Sequence, residues 1–263
     1  IWVGSSEYGI SIISDDKIIK NLNKENGLSS NTIYYLSKDS KSKIWAATEN
    51  GGISVIQYKK DVQKELRIIY YNSNNELNDN TVRNILKDQS DNIYLATSCG
   101  GINIFNGNDF HYLTKEDGLS SNNIYLLIFD NEENLWAGSE KGLDKITLDN
   151  NLQVIKVKHY GFEEGFTGVE LYKNSCFKDT VGNLWFGTVR GVTIYKPKED
   201  KICTKETKTH ITGIKLFYDD IEDTEFADSS SVRFPLPEKL VLPYNKNNLT
   251  FSYIGIYHRN PNI

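Results

Sequence analysis

Methionine is absent from the 263 residues, and histidine, proline and cysteine are scarce at four, five and three. The cysteines, Cys99, Cys176 and Cys203, form an odd set with no CxxC or cysteine-histidine spacing, which argues against a structural zinc and against a complete disulfide framework. His111, His159, His210 and His258 stand far apart, so no metal site is expected, and His111 and His159 fall in stretches that read as surface strands. No apolar run approaches the roughly 20 residues a membrane helix needs, and no signal peptide is legible. Basic residues do not predominate either. Thirty Lys+Arg against 35 Asp+Glu leave a formal net charge of −5, which argues against a general polyanion-binding face, leaves room for a local basic pocket and makes nucleic acid a poor partner.

Catalytic signatures are missing as well. No Ser, Cys or Thr lies in a recognisable nucleophile context. Glu163, Glu164 and Glu170 could supply a carboxylate pair for glycoside cleavage, but that chemistry needs two carboxyls facing each other across about 5–10 Å, which sequence neighbours do not show. No catalytic residue, no cofactor and no enzymatic activity are expected.

What is present is a phrase written five times. Ile1-Trp2-Val3-Gly4, Ile44-Trp45-Ala46-Ala47, Ile93-Tyr94-Leu95-Ala96, Leu135-Trp136-Ala137-Gly138 and Leu184-Trp185-Phe186-Gly187 place an aromatic ring at steps of 43, 49, 42 and 49 residues. A period in the forties built of short strands, with an aromatic and a glycine at fixed places, is the pattern of propeller blades. Within one period residues 31–36 read as an inner strand covered on both faces, 44–48 and 53–56 as the next two, and 66–71 as a more polar outer strand. The order recurs in 81–113, 124–160 and 169–195. A blade cannot bury both faces of its sheet alone, so stacked neighbours supply the core, with Trp45, Tyr94, Trp136 and Trp185 expected between blades.

A second phrase joins the blades: Asn26-Gly27-Leu28-Ser29-Ser30-Asn31, Asn75-Glu76-Leu77-Asn78-Asp79-Asn80, Asp117-Gly118-Leu119-Ser120-Ser121-Asn122 and Glu164-Gly165-Phe166-Thr167-Gly168. Gly and small polar residues make it a connector, anchored by Leu28, Leu77, Leu119 and Phe166. Asn31, Asn80 and Asn122 are expected to cap turns with their own side chains. After Tyr195 the period stops. Pro197 and the charged stretch 198–208 read as a linker, and the fifth repeat lacks an outer strand of its own. Residues 209–217, 240–242 and 249–256 then read as strands opening a β-sandwich that is cut short. The expected fold is all-β: a partial β-propeller of about five four-stranded antiparallel blades (1–197), a linker (198–208), and the N-terminal part of an immunoglobulin-like β-sandwich (209–263). Because the chain opens inside a repeat without an initiating Met, it reads as a piece of a longer protein, and a signal peptide or membrane helix could lie outside it.

The unit from Asp117-Gly118-Leu119-Ser120-Ser121-Asn122 through Asn134-Leu135-Trp136-Ala137-Gly138-Ser139-Glu140-Lys141-Gly142-Leu143 resembles the two-component regulator propeller repeat. The stretch Leu242-Pro243-Tyr244-Asn245-Lys246-Asn247-Asn248-Leu249-Thr250-Phe251, followed by Tyr257-His258-Arg259-Asn260-Pro261, is similar to the start of the three-Tyr domain that follows such propellers. Tyr94 stands where Trp is usual, and Ala47 and Ala96 where Gly is usual, so the blades are not equivalent. The resemblance implies an extracytoplasmic sensor region, periplasmic or extracellular, of a membrane-bound bacterial signalling protein such as a hybrid histidine kinase. It implies oligosaccharide recognition by the propeller, signal transfer through the sandwich, and a homodimer in the intact sensor. A propeller-type polysaccharide lyase or hydrolase and a protein-interaction scaffold remain as alternatives.

Among the five copies the residues before the turn glycine vary most, and variation on a shared scaffold marks positions released from its needs. Loops of several blades converge at one end of a propeller, where binding is expected. The candidate ligand-binding residues are therefore Tyr8 for stacking on a sugar, Glu49 and Asn50 for hydrogen bonding, and Lys141 and Arg190 for pairing with a uronate or sulfate.

Overall fold

The computed structural model describes residues 1–57, 66–168, 170–200, 208–221, 224–226, 236–237 and 240–256. The chain divides into two compact units, Ile1–Asp200 and Lys201–Ile263. Most of the expected linker, Cys203, Val169 and the stretch from Tyr257 to Pro261 lie outside the described residues.

The first unit is a series of antiparallel meanders. Blade 1 holds β1 (Trp2–Gly4), β2 (Ile10–Ser14) and β3 (Lys17–Leu22); blade 2 holds β4 (Ile33–Lys38), β5 (Ile44–Thr48), β6 (Ile53–Gln57) and β7 (Arg67–Tyr71). Blade 3 is β8 (Val82–Lys87), β9 (Ile93–Thr97), β10 (Ile102–Phe105) and β11 (Phe110–Leu113), and blade 4 is β12 (Ile124–Phe129), β13 (Leu135–Ser139), β14 (Gly142–Leu148) and β15 (Val154–Tyr160). Blade 5 has β16 (Leu171–Lys178), β17 (Leu184–Thr188) and β18 (Gly191–Tyr195). The all-β propeller expected from the period is the fold observed. The first strands of blades 2 to 5 pack side by side, β4 on β8, β8 on β12 and β12 on β16, and β8 also reaches β16, so these strands crowd around a common axis.

The strand enclosed on every side is the second, not the first. All five residues of β5, β9 and β13 are buried, whereas β4, β8 and β12 are partly open. The first strand keeps one unpaired edge, toward the axis, where solvent reaches it; the second is paired at both edges and covered on both faces.

Alternation along the second strand decides where each side chain goes, because successive residues point to opposite faces. In β5, Ile44 and Ala46 join a core cluster with Ile10 and Ile12 of blade 1, while Trp45 and Ala47 join another with Val82 and Ile85 of blade 3. In β9, Ile93 and Leu95 face blade 2, and Tyr94 and Ala96 face blade 4. Leu135 and Ala137 of β13 face blade 3, and Trp136 faces Phe186 and Leu184 of blade 5. Every ring therefore points at the following blade. Trp45, Tyr94 and Trp136 are at most 3% exposed, but Trp185 is 37% exposed, contrary to its expected place between blades. No described blade follows the fifth, so its outward face, which carries Trp185, stays uncovered.

A turn that ends in a hydrogen bond fixes each ring, buried at Trp45 and Trp136 and exposed at Trp185. Asp39, Asp130 and Asp179 each accept the indole N–H six residues later at 3.0 Å, from Trp45, Trp136 and Trp185, and Asp88 accepts from the Tyr94 hydroxyl at 3.1 Å. The same four carboxylates accept the backbone N–H of Lys43, Asn92, Asn134 and Asn183, which closes the turn. The residue just before that N–H donor is in left-handed conformation in each turn, at Ser42, Asp91, Glu133 and Gly182.

The connectors are equally regular. Asn31, Asn80 and Asn122 accept at 2.8 Å, through their side chains, the backbone N–H of Lys24, Ser73 and Lys115, as expected of capping residues. Their own carbonyls accept from the turn glycines Gly9, Gly52 and Gly101 of the preceding blade. Gly52 has φ +74, and a Cβ there would lie 2.0 Å from the Tyr71 carbonyl oxygen, so only glycine lets the two backbones meet. Leu28, Leu77, Leu119 and Phe166 are all at most 5% exposed and anchor the crossings. At the end of the unit, Asp200 accepts the hydroxyls of Tyr160 at 2.7 Å and Tyr195 at 2.9 Å and pairs with Lys158 at 3.3 Å, which ties the exit to blades 4 and 5.

In the second unit β19 (Lys208–Leu216) pairs with β20 (Asp219–Asp220) on one edge and β21 (Leu249–Ile256) on the other. Residues 240–242, expected as a strand, contribute a single bridge at Leu240; Pro243 follows, and its missing N–H cannot extend a ladder.

Two measurements check this framework. Trp136→Ala should cost about 3–5 kcal/mol in urea unfolding, whereas Trp185→Ala, on the uncovered face, should cost about 1–2 kcal/mol. The turn aspartates set the acid limit. The indole of Trp185 donates to Asp179 and, against a smaller opposing effect of burial, holds its carboxyl down at about 2. Burial pushes Asp130 up, but hydrogen bonds from Trp136 and Asn134 and the charge of Lys145 outweigh it and leave that carboxyl lowered too. A depressed folded pKa contributes stability in full above the unfolded value of about 3.9 and loses it as pH falls through the folded value. The urea midpoint should therefore drop between pH about 4 and about 2, and Asp179→Asn should drop less steeply over that window.

Candidate functional site

The strongest departure from regular pairing lies at the axial end of the first strands. In β4 the register jumps between Ile33 and Tyr35, in β8 between Val82 and Asn84, and in β12 between Ile124 and Leu126. Each bulge extrudes one residue at the same place in the repeat: Tyr34, Arg83 and Tyr125. In β16 the excursion is longer, from Leu171 to Cys176, and Asn174 within it has φ +58. Bulges re-aim side chains and recur beside functional sites. Here four blades aim theirs at one another.

Arg83 is the centre. Its guanidinium carbon lies 4.9 Å from the Tyr125 ring centroid, its Nη1 donates to the Asn123 side-chain oxygen and, at 3.3 Å, to the Ile124 carbonyl, and the Asn123 amide donates to the Tyr125 hydroxyl at 3.2 Å. Asn84 donates to the Asn174 side chain at 2.7 Å, and Asn174 donates to the Arg83 carbonyl at 3.1 Å, across from blade 5 to blade 3. Lys173 sits 5.1 Å over the Tyr34 ring, and the Tyr34 hydroxyl donates to Glu49 at 2.6 Å. Burial, the hydrogen bond to Glu49 and the charge of Glu49 push the Tyr34 phenol up to about 12, while the charge of Arg83 pulls the other way.

The network is not closed. Among the described residues, three buried side-chain atoms lack a partner: Arg83 Nε, Asn84 Oδ1 and Glu140 Oε2. All three belong to it, since Glu140 Oε1 accepts from Ser121, Ser121 accepts from the Asn123 N–H, and Asn123 accepts from Arg83. Native proteins leave few buried polar groups unsatisfied, and each costs about 1–3 kcal/mol. One donor and two acceptors are thus left unpaired within the buried part of this network.

Of the residues singled out from sequence, Glu49 enters this cluster through Tyr34. Asn50 spends its side chain on the next blade, accepting from the Thr81 hydroxyl at 3.0 Å, with φ +56. Tyr8, Lys141 and Arg190 lie exposed at the tips of their turns, and their side chains make no hydrogen bond or ion pair among the described residues. The tips do share an end of the blades with the connectors, since the N–H groups of Glu49, Ser98 and Val189 donate to the carbonyls of Thr32, Thr81 and Glu170. Arg83, Asn84, Tyr125 and Asn174 were not among the sequence candidates. The signal for Arg83 and Tyr125 was there, since the second residue of the first strand is Tyr34, Arg83 and Tyr125 in blades 2 to 4, but in blade 5 that place holds Tyr172 and Asn174 joins the cluster instead.

His159 is held by Asp144 at 2.8 Å, and Asp144 in turn receives the N–H and hydroxyl of Ser120, so this pair locks a connector. Glu164 caps its own turn by accepting the Gly161 N–H at 2.8 Å. Among the described residues no group of three or more His, Cys, Asp or Glu is placed to share a metal ion.

A family model described as the two component regulator propeller matches residues 118–141, the connector and first two strands of blade 4. No curated protein matches the sequence. Among solved structures the chain is similar to the extracellular domain of a hybrid two component system from B. thetaiotaomicron, at 18% identity and a TM-score of 0.69, over 96% of this chain and 33% of that one. It is similar to the extracellular domain of a one component system from the same organism at 23% identity and a TM-score of 0.59, over 81% and 31%. It is also similar to virginiamycin B lyase from Staphylococcus aureus at 16% identity and a TM-score of 0.50, over 80% and 68%. These likenesses are of fold. The chain spans about a third of the length of the two extracellular domains.

The Tyr34–Glu49 bond has a spectroscopic test. With the carboxylate removed, the phenol loses two of the influences that raise it, so Glu49→Gln should bring one tyrosine's ionisation down toward about 10. An ultraviolet titration, with Tyr34→Phe to assign the transition, would read the shift.

Proposed function

We propose that this chain is the ligand-sensing part of a bacterial two-component or related sensor, lying outside the cytoplasmic membrane and binding an oligosaccharide at the axial end of its propeller. The observation that carries the reading is the convergence of the bulged residues Tyr34, Arg83 and Tyr125, with Lys173, at one end of the first strands, where rings and charged groups gather. Sugars need faces to stack on and polar groups held at fixed angles, and residues of both kinds meet here. The match of residues 118–141 to the propeller repeat and the likeness in fold to two extracellular sensor domains support the biological setting.

Binding here requires no turnover. The bulges hold Arg83 and Tyr125 on strands rather than on mobile loops, and a bound ligand would bridge the first strands of blades 3, 4 and 5. A ligand with differential affinity for two arrangements of those strands shifts their balance, which is all that a sensor must do. In the intact sensor the chain is proposed to work as a homodimer, anchored to the membrane by other parts of the protein.

Calorimetric titration with a panel of plant and host oligosaccharides tests the reading. Saturable binding that is lost in Tyr125→Ala and leaves the sugar intact is the expected result. New reducing or unsaturated ends would instead place the chain among the polysaccharide-cleaving propellers, and no binding across the panel would remove the carbohydrate reading.

A further inference from the structure

We propose that residues 172–176 of β16 form a strap that lies across the axial end of the first strands and opens while the blades stay folded, releasing Tyr34 of blade 2 and the Arg83 bulge of blade 3. Its use as a gate to the binding end rests on the reading above; its existence does not.

Blade 5 departs from its siblings here. In β4, β8 and β12 one residue leaves the ladder, but in β16 the pairing passes from Leu171 with Thr188 to Cys176 with Phe186, so four residues, Tyr172 to Ser175, stand against the single residue Gly187. The flanks are held. Leu171 is 2% exposed in the cluster that contains Trp136 and Phe186, and beyond Cys176 the ladder continues with Phe177 opposite Trp185 and Lys178 opposite Leu184. The middle is open: Tyr172 is 58% exposed, Lys173 is exposed, and Asn174, Ser175 and Cys176 are half-buried.

The contacts that hold the middle reach three other blades. Lys173 Nζ sits 5.1 Å over the Tyr34 ring of blade 2. Asn174 accepts from the Asn84 amide at 2.7 Å and donates to the Arg83 carbonyl at 3.1 Å, both in blade 3, and the Cys176 thiol donates to the Leu127 carbonyl of blade 4 at 3.7 Å. A neutral hydrogen bond shifts an equilibrium by about tenfold and an exposed cation over a ring by less, whereas the flanks belong to the cooperative core. Asn174 is also kept at φ +58, in the left-handed region, which an open strap need not keep. The strap is thus the part of blade 5 that leaves at the smallest cost. The sheet beneath makes room for it: where blades 2 and 3 carry Ala47 and Ala96, blade 5 carries Gly187, and a Cβ there would lie 2.7 Å from the Ser175 Cβ.

Opening takes Lys173 off the Tyr34 ring and frees Asn84 and the Arg83 carbonyl. A guest that binds the open form better shifts the balance toward it, and blade 5 then loses its ties to blades 2 and 3.

Alkylation of Cys176, read by mass spectrometry of its peptide on the whole chain, tests the strap without any sugar. Burial pushes the Cys176 thiol up to about 11, so the closed form holds little of the thiolate that reacts, and labelling counts openings. Opening of so short a segment exposes little surface, so the labelling rate should stay flat in urea well below the unfolding midpoint. Asn174→Ala should raise the rate about tenfold. Gly187→Ala, which presses on Ser175 and removes no side-chain hydrogen bond, should raise it too, with both variants still flat in low urea. A rate on the unaltered chain that climbs from the first addition of urea, with the slope of global unfolding, would overturn the strap, because Cys176 would then be reached only when the blade unfolds. No acceleration in either variant would overturn the assignment of the hold to Asn174 and of the seat to Gly187. The urea series on the unaltered chain decides whether or not the variants fold. A flat rate in a chain that binds no sugar of the panel keeps the strap and removes its use as a gate; sugar binding alongside a urea-driven rate does the reverse.

Discussion

Each blade is a sheet with two apolar faces, and one sheet can bury a face only against another. That constraint orders everything else in the first unit. Because side chains alternate along a strand, the second strand of each blade sends one set of residues backward and the other forward, and the large ring always goes forward. Trp136, flanked by Phe186 and Leu184 of blade 5, is fully buried; Trp185, the same residue one blade later, is 37% exposed for want of a following sheet. The identity of the residue did not change between the two, only the presence of a neighbour.

Apolar stacking alone would let the sheets slide, since it is non-directional. Registration comes from hydrogen bonds at fixed points: the turn glycines of one blade to the connector asparagines that lead into the next, and the third-strand residues Ser54, Asn103 and Asp144 to the N–H groups of Ser29, Asn78 and Ser120 in the connector that enters their own blade. The indole-to-aspartate bond then sets the rotation of each ring. Low dielectric strengthens these bonds and raises the cost of losing one, and among the described residues the buried side-chain atoms left unpaired belong to Arg83, Asn84 and Glu140 alone.

The axis is the one place where strand edges are free. A first strand has no ladder partner on its inner side, so a bulge there disrupts fewer pairings than it would within the sheet, and the extra residue can be turned inward. Tyr34, Arg83 and Tyr125 use that freedom in three consecutive blades, and Asn174 answers from the fourth. Their sequence separation is large, yet the shared position in the repeat makes them neighbours. The framework thus spends its satisfied bonds on holding the blades, and the bulged residues meet where the first strands converge.

The period, the strand order, the connectors and their leucine anchors were legible in the sequence, because they follow from local rules: alternation of two, turn chemistry, and repetition of a phrase. Even the capping role of Asn31, Asn80 and Asn122 followed from the hydrogen-bonding habit of asparagine. The turn tips Tyr8, Lys141 and Arg190 were legible only as variable positions, and variation says that a residue is released, not what it meets. What the tertiary structure decided was the meeting of Arg83 with Asn123, Tyr125 and Asn174, and the exposure of Trp185. Both depend on which blade lies beside which, and on a one-residue slip in register that turns a side chain from one face to the axis. No run of residues carries that information, since the cost of an unpaired charge is set by the groups folding brings around it.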